Sequence, residues 1–110
     1  MREYPRDYEM MVIFAPQTAD EELAGALDQV SGYITGSGGE VSQVLRDNPW
    51  GRRRLAYPIR KDGQDVREGF YSLYHFRAPT TRIADLERSL KLNDRVLRHM
   101  VVKVGEGEEE

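Results

Sequence analysis

A cluster of basic side chains in the middle of the chain is the residue pattern with the clearest chemical meaning. Residues 46–61 contain six cationic side chains: Arg46, Arg52, Arg53, Arg54, Arg60 and Lys61. A guanidinium group can grip a phosphate through two parallel hydrogen bonds and can also stack on a base, so arginines on a rigid strand suit RNA binding. On charge alone, a solvated basic strand without a ligand explains the cluster equally well.

The rest of the sequence offers no convergent set of catalytic or metal-binding residues. His75 and His99 lie in different predicted strands, with no carboxylate or second histidine at ligand spacing. Residues 36–39 resemble a phosphate-binding loop only in composition, because they follow a predicted helix and precede a strand. The chain has no cysteine, which excludes disulfides and thiolate metal sites. We therefore predict that the protein is not an enzyme and has no catalytic residues, metal, cofactor or small-molecule substrate.

The charge of the chain is unevenly distributed. Its net charge is −3, but four of the 19 acidic residues lie among the last five positions, so the remainder carries about +1. The first apolar run, residues 10–15, is too short for a secretory signal or for the roughly 20 residues of a membrane span. The sequence predicts a cytoplasmic protein without a membrane partner, with one domain over residues 1–104 and a disordered acidic tail over 105–110.

The first elements that must position the basic cluster are a strand and a helix. Residues 8–15 form an apolar run rich in valine, isoleucine and aromatic residues and closed by Pro16, which favours a strand. Thr18 and Glu21 have the spacing of a helix-capping box, and apolar residues then follow at helical spacing: Leu23, Leu27, Val30 and Ile34. The glycines within residues 36–39 must end this helix.

The basic cluster itself falls in a predicted hairpin. Residues 40–60 alternate with a period of two and predict a long strand, interrupted at 47–51 by a bulge or a small loop. Residues 61–65 carry a hairpin-turn pattern, and residues 70–76 return as a third, antiparallel strand. The alternation places Leu55, Tyr57 and Ile59 on the core side of the second strand and Arg52 and Arg54 on the other side.

The C-terminal elements complete an α+β fold. Pro79 opens a short second helix with Ile83, Leu86 and Leu90 on one stripe, and the valine-rich residues 96–104 predict a fourth strand. The order strand, helix, strand, strand, helix, strand is that of the ferredoxin-like split β-α-β sandwich, in which a four-stranded antiparallel sheet carries two helices on one face.

The helix-free face of such a sheet should be polar if it meets only water. Here both faces of the first and third strands carry large apolar residues, such as Met11, Ile13, Tyr71 and Leu73 on one side. We expect a partner to cover part of this face, because contiguous exposed apolar surface usually marks an interaction site. Scattered surface hydrophobic residues are the alternative.

The run at residues 51–61, Gly-Arg-Arg-Arg-Leu-Ala-Tyr-Pro-Ile-Arg-Lys, closely resembles the signature of the bacterial small-subunit ribosomal protein S6 family. The resemblance covers nearly the whole chain, including Tyr8, Glu9, Pro16, Gly38, Gly39, Gly69, Phe70, Tyr71 and residues 93–96 and 100–103. This chain departs from the family pattern in an N-terminal extension of about four residues, in the inserted residues 47–49 and in residues 97–99.

The resemblance implies a structural role in the small ribosomal subunit, where the family binds the central domain of 16S ribosomal RNA together with ribosomal protein S18. By family analogy, RNA contacts would involve Arg6, Tyr8, Arg60, Lys61, Arg95, Arg98 and Lys103. Arg52 and Arg54 join this predicted set, because the alternation of the second strand places them on the side away from the core. Some members of the family carry C-terminal glutamates that are extended enzymatically.

Three other functions are compatible with the same order of elements. A ligand-binding regulatory domain would bind a small effector at a dimer interface. An acylphosphatase-like hydrolase would need a phosphate-cradling loop after the first strand, where this chain has Ala15, Pro16, Gln17 and Thr18. An RNA-recognition motif would carry an aromatic-rich signature on the third strand, which is absent here, so base stacking on the sheet face is not expected as the main binding mode.

Overall fold

The chain follows the predicted order of elements, with one strand more than expected. The computed structural model describes residues 4–18, 20–47 and 50–104. Its elements are β1 (Pro5–Phe14), α1 (Asp20–Gly36), β2 (Glu40–Leu45), β3 (Gly51–Lys61), β4 (Gln64–Pro79), a 3₁₀ turn (Thr80–Arg82), α2 (Ile83–Lys91) and β5 (Val96–Lys103). The predicted acidic tail, residues 105–110, lies outside the described residues.

The strands form one antiparallel sheet in the order β2-β4-β1-β5, and β3 also pairs with β4. Leu45 of β2 pairs with Leu73 and Gly51 of β3 pairs with Tyr71, so both strands lie on the same edge of β4. They are the two halves of the predicted long strand, and the expected four strands become five because a loop separates the halves. The Trp50 N–H donates to the Asp47 carbonyl across this loop at 2.7 Å. Asn48 and Pro49 lie outside the described residues.

The main core lies between the sheet and the two helices. Alternate side chains of β1 and β4 enter it, because successive residues of a strand point to opposite faces. The apolar stripes of α1 and α2 cover them, as predicted, and the resulting cluster includes Met10, Val12, Phe14, Leu27, Val30, Ile34, Tyr74, Phe76, Leu86 and Leu90. Fully burying one such large side chain contributes roughly 1.5–3 kcal/mol to folding.

Two buried polar side chains of β4 are satisfied within this core. The Tyr74 hydroxyl donates to the Leu27 carbonyl at 3.1 Å, and the Ser72 hydroxyl donates to the Val12 carbonyl at 3.1 Å. Burial raises the pKa of Tyr74 far above its usual range. Both groups are therefore structural, since Tyr74 ties β4 to α1 and Ser72 ties β4 to β1.

The predicted end of the first helix is confirmed. Gly38 has a φ of +83°, a value that favours glycine, and the Gly39 N–H donates to the Ile34 carbonyl at 3.0 Å. A Cβ atom at Gly39 would lie 2.7 Å from the Arg77 carbonyl oxygen of β4. The glycines thus allow both the helix stop and the close passage of the chain into β2.

The turn between α2 and β5 is tied to α1 through one amide. The Asn93 side chain donates to Gln29 and to the Tyr33 hydroxyl at 3.2 and 3.1 Å, and its oxygen accepts from the Arg95 N–H at 2.9 Å.

In the part of the chain that the structure describes, no helix is long and apolar enough to cross a membrane.

Candidate functional site

The basic cluster lies on the hairpin formed by β3 and β4. Lys61 pairs with Gln64 across a two-residue turn, Asp62 and Gly63, whose φ values of 53° and 80° fit the favoured hairpin geometry. Residues 51–68 of this hairpin carry six cationic and three acidic side chains, a net charge of +3. The chain as a whole carries −3, so the hairpin is the basic part of an acidic protein.

A bulge interrupts the pairing of β3 with β4 inside the basic segment. Arg54 pairs with Glu68, and the next paired residue of β3 is Ile59, opposite Val66. Four residues of β3, 55–58, thus face the single residue Arg67, which leaves three extra residues in β3. Pro58 helps to explain the break, because it has no backbone N–H to donate to a neighbouring strand.

The bulge corrects the predicted faces of β3. Tyr57 was expected on the core side beside Leu55 and Ile59, but its side chain is 82% exposed, whereas those two residues are each 9% exposed. The alternation fails because the extra residues between the paired positions change the direction of successive side chains. Leu55 and Ile59 remain anchors of the strand and Tyr57 lies at its surface.

Leu55 and Ile59 are buried in a second cluster, separate from the main core. They pack with Ile13, which lies on the helix-free face of β1, and with the partly buried Val66, Tyr71 and Leu97. The hairpin is therefore fixed to the helix-free side of the sheet by apolar contacts at both ends of the bulge.

Two arginines of the hairpin are held against aromatic rings. The guanidinium carbon of Arg52 lies 4.2 Å from the ring centroid of Phe70, and that of Arg53 lies 5.5 Å from the ring centroid of Tyr71. Arg52 also donates to the Pro16 carbonyl at 3.4 Å and lies 3.8 Å from a carboxylate oxygen of Glu68. Arg52, a predicted RNA contact, thus already has three neighbours within the fold.

The other predicted hairpin residues differ in their partners. Arg60 forms a 3.0 Å ion pair with Asp65, and the Lys61 amine donates to the Asp94 carbonyl at 3.1 Å. Arg54 is exposed and has no hydrogen bond or ion pair among the described residues. Arg67, opposite the bulge, adds a cation that the sequence analysis missed, because it stands apart from the arginine run.

The structure separates the predicted RNA contacts into two groups. Lys61 lines an open cleft of about 560 Å³ with Arg95 and a second cleft of about 360 Å³ with Arg98, so these three residues lie near the hairpin turn. Arg95 is 3.6 Å from Glu22. The second group, Arg6, Tyr8 and Lys103, lies at the opposite end of β1 and β5, where Tyr8 pairs with Lys103. Arg98 and Lys103 are five positions apart along β5, which corresponds to roughly 17 Å.

Tyr8 is a core residue in this arrangement. Its side chain is 5% exposed, its ring stacks on Phe76 with a centroid distance of 5.4 Å, and its hydroxyl donates to Thr80 at 3.1 Å. The Tyr8 ring offers no exposed stacking surface. Arg6 is exposed, and its guanidinium carbon lies 5.9 Å from the ring centroid of Tyr4.

The helix-free face of the sheet carries a row of apolar side chains that crosses four strands. Leu45, Leu73, Met11 and Met100 are neighbours in register across β2, β4, β1 and β5. The first three are partly buried and Met100 is 54% exposed. Val102, two residues along β5 from Met100, is 49% exposed, so the apolar surface continues along this strand.

The polar side chains beside this row contact one another across β4 and β1. His75 lies 3.6 Å from Glu9, and Arg77 lies 3.8 Å from Asp7, in both cases between paired residues of β4 and β1. The middle of the helix-free face is therefore apolar, in contrast to the hairpin. Such a surface suits a protein partner better than a polyanion.

The two histidines lie in different strands, β4 and β5. His75 and His99 each lie near one carboxylate, Glu9 at 3.6 Å and Glu87 at 3.5 Å respectively. No group of three or more potential metal ligands occurs within the described ranges.

Comparisons with known proteins agree with this geometry. The family model of ribosomal protein S6 matches residues 7–103. The chain is 36% identical to the small ribosomal subunit protein bS6 of Desulforamulus reducens, over 92% of this chain and 99% of that protein. It is 37% identical to bS6 of Carboxydothermus hydrogenoformans, over 89% of this chain and 95% of that protein.

A solved structure is similar in fold as well as in sequence. The crystal structure of 30S ribosomal protein S6 from Thermotoga maritima superimposes with a TM-score of 0.81 at 27% identity, covering 96% of this chain and 94% of that one. The ferredoxin-like fold is thus shared, and the resemblance of residues 51–61 is part of a match along almost the entire chain. The chain belongs to the ribosomal protein S6 family of the small ribosomal subunit.

Proposed function

We propose that this protein is a structural component of the small ribosomal subunit that binds the central domain of 16S ribosomal RNA together with ribosomal protein S18. The observation that carries the proposal is the separation of two surfaces: a hairpin with a net charge of +3 and a sheet face crossed by an apolar row. RNA occupies the first surface and S18 the second. The protein acts by binding, without catalysis or a cofactor, on ribosomes in the cytoplasm.

The hairpin has the chemistry that an RNA backbone requires. Arg54, Arg60 and Arg67 are exposed guanidinium groups on a strand pair, and guanidinium groups bind phosphate oxygens in pairs. Lys61 at the turn connects this surface to Arg95 and Arg98 near the start of β5. These side chains form the proposed RNA surface, to which Arg52 contributes mainly by holding the hairpin in place.

RNA contacts by the second predicted group, Arg6, Tyr8 and Lys103, are a separate proposal. Arg6 and Lys103 lie at the far end of the sheet, so they reach RNA only if the nucleic acid extends along the molecule. Tyr8 is excluded from the proposed contact surface because its ring is buried.

The apolar row is the proposed docking surface for S18. Protein interfaces concentrate apolar and methionine side chains at their centre and place charged groups at their rim. Met11, Leu73 and Met100 supply such a centre, while Arg77 and Asp7 lie at its edge as an ion pair. Covering the 54% exposed Met100 and the 49% exposed Val102 would remove apolar surface from water.

The exposed surface of helix α1 is unsuited to RNA. The sequence of α1, Asp20–Gly36, contains four acidic residues and no lysine or arginine. Negative charge on an exposed helix repels phosphate, so we place the RNA on the side of the hairpin.

Gel-shift titration of the full chain with the transcribed central domain of small-subunit RNA, with and without purified S18, tests the proposal. We expect retardation of the RNA when both proteins are present, and weakening as salt is raised. Absence of binding at low salt in both conditions would overturn the proposed function.

A further inference from the structure

The most exposed aromatic side chain of the protein makes no hydrogen bond, ion pair or ring contact with the described part of the fold. Tyr57 is 82% exposed, whereas Leu55 and Ile59, two positions before and after it, are each only 9% exposed. Burial of a large aromatic side chain is favourable, so a fold that keeps Leu55 and Ile59 inside and Tyr57 outside gains nothing from the ring itself.

The backbone around Tyr57 holds the ring at the surface. The three extra residues of the bulge lie between Arg54 and Ile59, and Leu55 and Ile59 anchor the two ends in the second cluster. Pro58 follows directly, and a residue before proline is restricted to extended backbone conformations. The segment that presents Tyr57 is therefore ordered before any ligand binds, which lowers the entropy cost of binding.

The surroundings of the ring are cationic. Arg54 and Arg60 flank the bulge on β3, and Arg67 lies opposite it on β4. All three are exposed, and Arg54 has no hydrogen bond or ion pair in the described part of the chain. Asp65 is shared by Arg60 and Arg67 at 3.0 and 3.8 Å, so one carboxylate offsets two guanidinium groups.

An exposed aromatic ring between arginines has the chemistry of a platform for a single nucleic-acid base. A base stacks on an aromatic face while guanidinium groups bind the phosphates on either side of the nucleotide. A protein partner would favour contiguous apolar surface around the ring, but the neighbouring large apolar side chains, Leu55 and Ile59, are directed into the second cluster.

We propose that Tyr57 stacks on an unpaired base of the bound RNA, with Arg54 and Arg60 holding the flanking phosphates. The base must be unpaired, in a loop, bulge or end, because both faces of a base within a continuous duplex are occupied by its neighbours. This inference rests on the proposed RNA binding and adds a contact residue to it, at a position that the alternation of β3 assigned to the core.

Substitutions at Tyr57 separate stacking from other roles. With the transcribed central domain as the probe and no S18 present, we expect Tyr57→Ala to weaken binding about tenfold to hundredfold. Tyr57→Phe should bind within about twofold of the parent, whereas Tyr57→Leu should lose nearly as much as Tyr57→Ala, since only an aromatic face supports stacking. Leu92→Ala, which truncates a 78% exposed side chain beyond α2, is the matched control and should bind as the parent does.

A second probe, a fully paired RNA duplex of similar length, should bind the parent and Tyr57→Ala equally. Circular dichroism and a thermal melt should show that each variant is folded before its affinity is compared. If the parent binds the central domain neither alone nor with S18, the proposed function itself fails. If the parent binds only with S18, the same variants are compared in that complex. If Tyr57→Ala binds as well as the parent, or Tyr57→Leu binds as well as Tyr57→Phe, the stacking inference is wrong while RNA binding stands. The inference is also wrong if the parent binds alone but the loss for Tyr57→Ala appears only when S18 is added.

Discussion

The guanidinium group of Arg52 lies over the ring of Phe70, 4.2 Å from its centroid, and joins the start of the basic hairpin to the main core. The same side chain reaches the Pro16 carbonyl and the Glu68 carboxylate, so it connects β3, β4 and the loop after β1. A residue predicted to contact RNA therefore also makes structural contacts within the fold. Its two roles can be separated by measuring stability and RNA affinity on the same variants.

Arg52→Ala should destabilise the folded protein without RNA. The loss of the contact with Phe70 and of the hydrogen bond to Pro16 should lower the free energy of unfolding by about 1–2 kcal/mol. Urea unfolding measures this change. Arg54→Ala is the matched control, because Arg54 has no such partner in the described residues, and it should change stability by less than about 0.5 kcal/mol. Equal effects of the two substitutions would contradict a structural role for Arg52.

Leu55→Ala should destabilise the protein far more than Tyr57→Ala. Leu55 is buried in the second cluster, so its truncation should cost about 2–3 kcal/mol, whereas truncation of the exposed Tyr57 should cost less than about 0.5 kcal/mol. Urea unfolding of both variants checks the bulge directly. If Tyr57→Ala were the more damaging change, the ring would be a core residue and the described bulge would be wrong.

Two glycine-to-alanine substitutions should change the stability of the protein in opposite directions. Gly39→Ala would place a Cβ atom 2.7 Å from the Arg77 carbonyl oxygen and should destabilise the protein by about 1–3 kcal/mol. Gly32→Ala lies within α1 with nothing near its Cβ position, so it should stabilise the protein by up to about 1 kcal/mol. Thermal melts of both variants provide the comparison. A stabilising Gly39→Ala would contradict the close packing of the α1–β2 turn on β4.

Met100→Glu should separate the two proposed partners. A carboxylate in the middle of the apolar row must lose water when a protein covers it, so affinity for S18 should fall at least about tenfold. Binding to RNA alone should stay within about twofold of the parent. Isothermal titration with S18 and gel-shift titration with RNA measure the two effects, and Leu92→Glu is the control at an exposed position off the sheet face. If Met100→Glu bound S18 as tightly as the parent does, S18 would have to dock on another surface.

Sequence periodicity predicted the buried face correctly where the same period continues without interruption. The stripe Leu23, Leu27, Val30 and Ile34 of α1 is buried as predicted, because helical spacing determines which residues share a face. The glycine pattern likewise predicted the end of α1. The ferredoxin-like order followed from these elements and from the hairpin turn.

Prediction failed where local geometry interrupts a period. Tyr57 was assigned to the core because alternation was assumed to continue through a segment that contains three extra residues. Arg67 was missed because its proximity to the arginine run arises only from strand pairing. The RNA contact of Tyr8 stays a prediction by family analogy, whereas its packing on Phe76 could not be predicted because it depends on the register of β1 and β4.

The salt dependence of RNA binding tests the hairpin assignment most directly. Each lost phosphate contact should reduce the slope of log affinity against log salt by about 0.7–0.9. For Arg54→Gln combined with Arg60→Gln, we predict a slope smaller by about 1.4–1.8 than that of the parent protein. Arg82→Gln combined with Arg88→Gln, which removes one charge directly before α2 and one within it, should leave the slope unchanged. An unchanged slope for the hairpin variant, or an equal loss in the control, would contradict RNA binding by the hairpin.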